Sequence, residues 1–265
     1  MCTTGVTRIS DDEYVLFKNK DFGRDHFDDR IVVESDVFGV EGITTWAGAD
    51  LDLDQFSGFS VGANAAGLLC CDSNVRTLDD HANYDDLVEI ALRRGSDVPS
   101  AVDAIRAATR RTPYLWGNLL MIDAARSVSV EVKSSQIEVV PLQPPAARSN
   151  HHVVLGANPT DDDTVTSENR RRAAQVRLEE SNSIEGIFAL QAAHDDGGTG
   201  ICNHALHRTV YSYLLVKRPG ATTLHVSQGR PCESPPRVEL TLPLGDRWSA
   251  QAVDGFRAAY PSTRS

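Results

Sequence analysis

No apolar run in this sequence is long enough to cross a bilayer. The longest, such as residues 67–71 and 211–216, fall far short of the ~20 residues that a helical span requires. No basic-then-apolar leader precedes a small-residue cleavage site, so a secretory signal is not expected and the chain reads as cytoplasmic. Excess positive charge is missing too. Lys and Arg total 26 against 37 Asp and Glu, a formal charge of −11, and no basic stripe offsets it. Such a surface repels phosphate backbones, which excludes nucleic acid as an expected partner, as the short apolar runs exclude a membrane. The Asp-rich patches at 11–12, 161–163 and 195–196 read as solvated surface. Paired cysteine spacing is also lacking. Cys2, Cys70, Cys71, Cys202 and Cys232 form an odd set, and adjacent Cys70 and Cys71 cannot easily bridge each other, so reduced thiols are expected. No repeat or low-complexity tract is visible.

What remains is an ordinary globular composition, 41% hydrophobic and 24% charged over 265 residues, enough for one large core and a single domain over 1–265. Alternating or β-branched patterns predict strands over 13–22, 30–34, 56–64 and 68–73. Asn64-Ala65-Ala66-Gly67 suits a hairpin turn, because Asn and Gly tolerate positive φ. Helical spacing follows over 84–94, ending at Gly95, and over 99–111, which begins with a proline. Strands return at 118–124, 127–133 and 136–140. Residues 142–147, with Pro144 and Pro145, read as a surface crossing. Helices over 167–180 and 184–194 precede strands at 209–217, 222–227 and 237–242. Blocks of strands and helices in this order suit helices packed on sheets.

Chemistry enters at the second residue. A cysteine thiol near pKa ~8.5 is mostly protonated at neutral pH, whereas a free α-amine near ~8 can accept and return protons. A cysteine exposed as the first residue carries nucleophile and base together. Met1-Cys2-Thr3-Thr4 permits this, since a small second residue allows aminopeptidase removal of Met1.

The residues that follow extend the pattern. Met1-Cys2-Thr3-Thr4, then Phe17-Lys18-Asn19-Lys20-Asp21-Phe22, resembles the opening of the choloylglycine hydrolase and penicillin V acylase group and of the related isopenicillin-N acyltransferase family. Gly62-Ala63-Asn64-Ala65-Ala66-Gly67-Leu68 is similar to that group's Gly-x-Asn-x-x-Gly-Leu hairpin, and Asn74 stands at the interval of a family asparagine. Ser149-Asn150-His151-His152 resembles a Thr-Asn-His element. Thr166-Ser167-Glu168-Asn169-Arg170 is similar to the segment carrying a family arginine. Ala193-His194-Asp195, Ile201-Cys202-Asn203-His204 and Gly229-Arg230-Pro231-Cys232 resemble elements of the acyltransferase branch.

The resemblance implies an α+β fold, the four-layer αββα N-terminal-nucleophile hydrolase sandwich. It also implies cleavage of a linear, non-peptide amide through a Cys2 thioester, or amide formation from the same acyl-enzyme. A non-catalytic binding or accessory protein of the same fold is the alternative of a different class. By the resemblance, Asp21 holds the N-terminal amine and thiol, Asn74 and Asn150 serve the oxyanion site or the substrate amide, and Arg170 anchors Asp21. Arg171 and Arg172 remain open as the matching arginine. Lys18 and His151 are expected to touch substrate. Lys18 stands where the bile-salt and penicillin V enzymes use Arg and lacks its bidentate fork, which weakens the bile-salt reading. No long segment precedes Cys2, so removal of Met1 is expected to suffice for maturation.

Cys202-x-His204-x-x-His207 carries metal-ligand types, but no complete four-ligand spacing stands out. No metal and no cofactor are therefore expected, and His194 and His204 read as hydrogen-bonded residues of a core loop. Cys70 and Cys71 read as packing residues of an apolar strand. The partner is a small-molecule amide substrate, with a homo-oligomer left open.

Overall fold

The computed structural model describes residues 1–23, 29–41, 58–77, 81–156, 161–181, 183–194, 200–205 and 207–261, with backbone alone for 161–165. The expected strand residues 56 and 57, Asp195 and the 195–196 patch lie outside them.

Two antiparallel sheets are stacked face to face. The first, six-stranded, runs β10-β1-β2-β11-β12-β13, with β1 Cys2–Arg8, β2 Tyr14–Phe22, β10 Ala146–Arg148, β11 Arg208–Arg218, β12 Ala221–Gln228 and β13 Arg237–Pro243. The second, seven-stranded, runs β3 to β9 in chain order: Arg30–Val33, Val37–Glu41, Val61–Asn64, Leu69–Asn74, Tyr114–Ile122, Ser127–Ser134 and Gln136–Pro141. Helices α1 (Asp85–Arg94) and α2 (Val98–Thr109) cover the outer face of the second sheet. Helices α3 (Asp161–Glu180) and α4 (Ile184–Gln191) cover that of the first, and α5 (Ala250–Ala259) packs at the end of β13 and β3.

The layering follows from strand geometry, in which successive side chains point to opposite faces. On β2, Tyr14 and Leu16 enter the core between the sheets, while Val15 and Phe17 pack under α3 and α4. On β11, Tyr211, Tyr213 and Leu215 point inward and Leu214 and Val216 outward. On β6, Leu69 and Cys71 face the inter-sheet core, and Leu68, just ahead of the strand, and Cys70 face α1 and α2. Strands covered on both sides must be apolar on both faces, so these segments read as nearly continuous hydrophobic runs. Three separate apolar cores, one between the sheets and one beneath each helical layer, make the αββα sandwich. Cys70 and Cys71 are fully buried packing residues.

Motif asparagines tie the layers together. Asn64 donates to the carbonyls of Leu92 (3.0 Å) and Gly95 (2.6 Å) at the end of α1. Asn19 donates to Gln191 O (2.8 Å) and Ile201 O (3.0 Å), fastening β2 to the segment after α4. Gly67 closes the β5–β6 turn at φ +93°, a conformation that side chains rarely adopt.

Several sequence expectations are corrected. Residues 146–148 are not surface crossing but the buried edge strand β10, paired with β1 through Thr4↔Arg148 and Val6↔Ala146. The prolines lie just before it, where no ladder N–H is needed. Strands β1 and β4 and helix α5 were not anticipated. Their periodicity is short or, in β1, hidden by the polar side chains of Thr3, Thr4 and Thr7. The last turn expected for α4 is absent, because Ala192 N–H closes on Phe188 O and the chain turns away at Ala193.

Candidate active site

Cys2 lies on β1 and is paired with Lys20 of β2, its side chain 6% exposed at a cavity of about 270 Å³. Asp21, Asn74, Lys18, Lys20, Tyr84 and Asp85 are among the residues that line this cavity with it. The peptide on either side of Cys2 is fixed by a dense polar frame. Cys2 N–H donates to Asn150 Oδ1 at 2.7 Å, while Cys2 O accepts from Ser149 Oγ (2.9 Å) and Arg170 Nη1 (2.8 Å). Arg170 Nη2 also donates to Asn150 Oδ1 at 2.9 Å, and Asn150 Nδ2 donates to Asn74 O at 2.6 Å. One asparagine therefore joins Cys2, Asn74 and Arg170.

Asp21 completes the frame. Its backbone exchanges hydrogen bonds with Met1: Met1 N donates to Asp21 O (3.0 Å) and Asp21 N–H to Met1 O (2.7 Å). Its carboxylate accepts from Thr209 Oγ1 at 2.7 Å and lies 3.8 Å from Arg170 Nη1. The other oxygen, Oδ2, receives no hydrogen bond among the described residues. Burial pushes the Asp21 carboxyl up from its ordinary value, opposed by the N-terminal ammonium, Arg170, Thr209 and Asn203.

Arg170, rather than Arg171 or Arg172, makes these contacts. It is fully buried on the face of α3 that also presents Ser167, Ala174 and Leu178, whereas Arg171 is half-buried and Arg172 exposed. Helical spacing of three and four residues puts those four on one side.

The two residues expected to touch substrate are placed differently from each other. Lys18 borders the cavity, but all its donors are engaged: Asp72 Oδ2 (2.7 Å), Ser60 Oγ (2.6 Å) and Ser60 O (3.1 Å). Burial pushes its ammonium pKa down, but Asp72 and the nearby Cys2 and Cys71 thiols outweigh this and hold it above the ordinary value. Lys18 is therefore a structural cation locked to Asp72. His151 turns to Ser167, with Nδ1 and Oγ 2.8 Å apart, and is not among the residues lining the cavity. Burial and then Arg171 push its pKa down to about 4.

Sequence reasoning missed Asp72, Tyr84, Asp85, Ser149 and Thr209. Burial and then Asp72 push the Asp85 carboxyl well up, against Lys18 and Lys20. Burial, Asp72, Asp85 and Cys2 do the same to the Tyr84 hydroxyl, which hydrogen-bonds the Asn74 side chain. A signal for Asp72 existed, an acid directly after the apolar run 68–71, as the partner of a lysine directly after the apolar run 14–17.

Away from this cavity, His194, Cys202, His204 and Cys232 gather with their ligand atoms all within 4.8 Å of one another. No regular sequence spacing announced this group. The set is tertiary, and it takes His194 and Cys232 in place of His207, which lines the Cys2 cavity. His194 and His204 are exposed, not core residues.

Neither a protein-family profile nor any curated protein sequence matches the chain. Solved structures do. A mutant of the conjugated bile acid hydrolase from Clostridium perfringens superposes with TM-score 0.55 at 11% identity, covering 86% of this chain and 89% of that one. The Caenorhabditis elegans ortholog of N-acylethanolamine-hydrolyzing acid amidase gives 0.56 at 13%, covering 81% and 92%. Penicillin V acylase from Agrobacterium tumefaciens gives 0.53 at 11%, covering 91% and 86%. The chain has the αββα fold of these N-terminal-nucleophile hydrolases. Among the described residues, no helix is long and apolar enough to cross a membrane.

Proposed function

We propose that this protein is a cysteine amidase of the N-terminal-nucleophile type, acting on a linear, non-peptide amide of an acylated small molecule. The observation that carries the reading is the fixing of Cys2 N by Asn150 Oδ1 at 2.7 Å, beside the buried Asp21, at the edge of a cavity that Cys2 itself lines. Removal of Met1 turns that nitrogen into the α-amine, with Asp21 alongside to hold it. The shared fold with hydrolases named for bile acid conjugates, N-acylethanolamines and penicillin V supports amide cleavage.

In this mechanism the amine takes the thiol proton and the sulfur attacks the amide carbonyl carbon, forming the C–S bond. The carbonyl oxygen becomes an oxyanion, to which the side-chain amide of Asn74, a residue lining the cavity, donates. The amine returns the proton to the departing nitrogen as the C–N bond breaks, leaving a thioester. Water then adds with the amine as base, releasing the carboxylic acid and restoring the thiol. Asn150 and Arg170 act as positioning residues: their side chains bond the Cys2 peptide, the Asn74 carbonyl and each other.

Both lining lysines are already paired, Lys18 with Asp72 and Lys20 with Asp29 (2.6 Å), which favours a neutral or cationic amide over an acidic one. Mass spectrometry of the Met-processed protein with a panel of acyl amides tests the proposal. An acyl adduct on Cys2 that decays in water is expected, with none in Cys2→Ala. Undiminished turnover by that variant sinks the mechanism. Product amide formed from an added amine would assign transfer in place of hydrolysis.

A further inference from the structure

We infer that His194, Cys202, His204 and Cys232 form a structural zinc site, a Cys2His2 clip outside the candidate active site. Separations between ligand atoms carry the argument. His194 Nε2 and His204 Nε2 are 3.1 Å apart, His204 Nε2 and Cys232 Sγ 3.1 Å, and Cys202 Sγ and His204 Nε2 3.6 Å. Tetrahedral zinc holds thiolate sulfur at ~2.3 Å and imidazole nitrogen at ~2.0–2.1 Å, so its ligand atoms stand roughly 3.3–3.8 Å from one another. The four atoms here, from 3.1 Å apart and all within 4.8 Å of each other, need shifts of about an ångström or less to reach a shell of that size.

Donor chemistry selects the metal. Two thiolates and two imidazoles in a tetrahedron suit zinc, whereas magnesium and calcium take oxygen ligands. Binding releases one proton from each thiol to solvent and forms two Zn–S and two Zn–N bonds. The charges of two thiolates and the dication cancel, so the partly buried cluster becomes neutral. Two histidines are exposed while Cys202 is buried, which leaves the ion an entry path. All four positions are filled by protein, so the site is closed and its role is folding rather than catalysis.

The site joins three segments, two of which already meet through the hydrogen bond from Cys202 N–H to Ala193 O (2.9 Å). His194 follows α4, Cys202 and His204 lie on the segment entering β11, and Cys232 sits in the 3-10 turn Pro231–Glu233 after β12. That entering segment braces the candidate active site. Asn203 N–H donates to Thr209 Oγ1 (2.9 Å), Thr209 N–H to Asn203 O (2.9 Å), and Thr209 Oγ1 to Asp21. The clip thus fixes the wall against which Asp21 rests.

The test uses the full-length protein, purified without chelator, and needs no substrate. Elemental analysis should find one zinc per chain, released by a thiol-reactive mercurial. Cobalt added to the apo-protein should give the intense visible bands of a tetrahedral site together with sulfur-to-cobalt charge transfer. Cys232→Ser should lose the charge-transfer intensity in part, and His194→Ala should lower metal affinity by 10-fold or more. Chelation should lower the thermal midpoint of the parent but not of a Cys232→Ser/His194→Ala double variant. His194 is exposed and Cys232 half-buried outside the apolar cores, so these variants keep the core intact. The inference is overturned if zinc and cobalt are not retained by the parent, or if the variants bind them equally well. It is also overturned if intact mass shows a Cys202–Cys232 disulfide, two hydrogens lighter and reversed by reductant, in freshly isolated protein.

Discussion

Replacing Lys18 by Met should cost stability rather than substrate affinity. Methionine keeps most of the aliphatic volume but removes the ammonium, leaving Asp72, 3% exposed, without its 2.7 Å partner. Breaking a buried ion pair on one side costs about 3–5 kcal/mol, so the unfolding constant should rise by roughly two to three and a half orders of magnitude. Asp72→Asn alone strands the ammonium and should fall in the same range. Lys18→Met with Asp72→Asn leaves no uncompensated charge, and apolar replacement of a buried pair is often neutral. The double variant should therefore recover most of the summed loss of about 6–10 kcal/mol as coupling. Urea unfolding of the four proteins, analysed at constant m, measures each term. The reasoning fails if Lys18→Met stays within about 0.5 kcal/mol of the parent, the scatter of ordinary surface substitutions, while weakening substrate binding. That outcome would return Lys18 to the substrate.

Three further outcomes follow from the geometry. The folded-state pKa of His151, about 4, lies below its ordinary 6.5, so the folded chain binds fewer protons between those values. Its contribution is complete above about 6.5 and is lost as pH falls toward 4. His151→Asn should flatten that acid limb in pH-dependent urea melts, and an unchanged limb would refute the assignment. A methyl on Gly5 would sit 2.8 Å from Leu178 Cδ1 and closer still to the Phe17 ring. Gly5→Ala should cost about 1–3 kcal/mol through overpacking and slow acylation by shifting β1, both readable from melts and single-turnover kinetics. Thr209→Val removes the donor to Asp21 and should raise the Asp21 pKa further, moving the acid limb of kcat/KM to higher pH. An unmoved limb would disconnect Asp21 from the chemistry.

Much of the site frame was legible in the sequence because its residues sit in compact local patterns. Cys2, Asp21, Asn74, Asn150 and Arg170, read from separate motifs, lie close together in the fold, and burial and its bonds to Cys2 and Asn150 single out Arg170 from its neighbours. What escaped were relations that only tertiary packing creates. Lysine in an apolar strand announces a partner but does not name it, and Asp72 and Asp29 supply theirs from distant positions. His151 borders a motif asparagine yet turns to Ser167, since α3 brings that hydroxyl within reach. The Cys2His2 cluster adds His194 and the more distant Cys232 to Cys202 and His204, so a spacing search found only its middle. Strand β10 escaped because three residues after two prolines carry no period to read.

The irregularity in β11 opposite the end of β2 has a consequence of its own. Along most of the pairing Lys20 faces Tyr211 and Ser212 faces Asn19, but beyond it Asp21 faces Thr209, so Val210 is one residue more than the partner strand supplies. That supernumerary valine inverts the parity of everything upstream, letting Thr209 share a face with Asp21 while Tyr211 still points between the sheets. Drawing Val210 into regular pairing opposite Asp21 would turn the threonine hydroxyl to the opposite side, stripping Asp21 of its donor without touching any residue beside the sulfur.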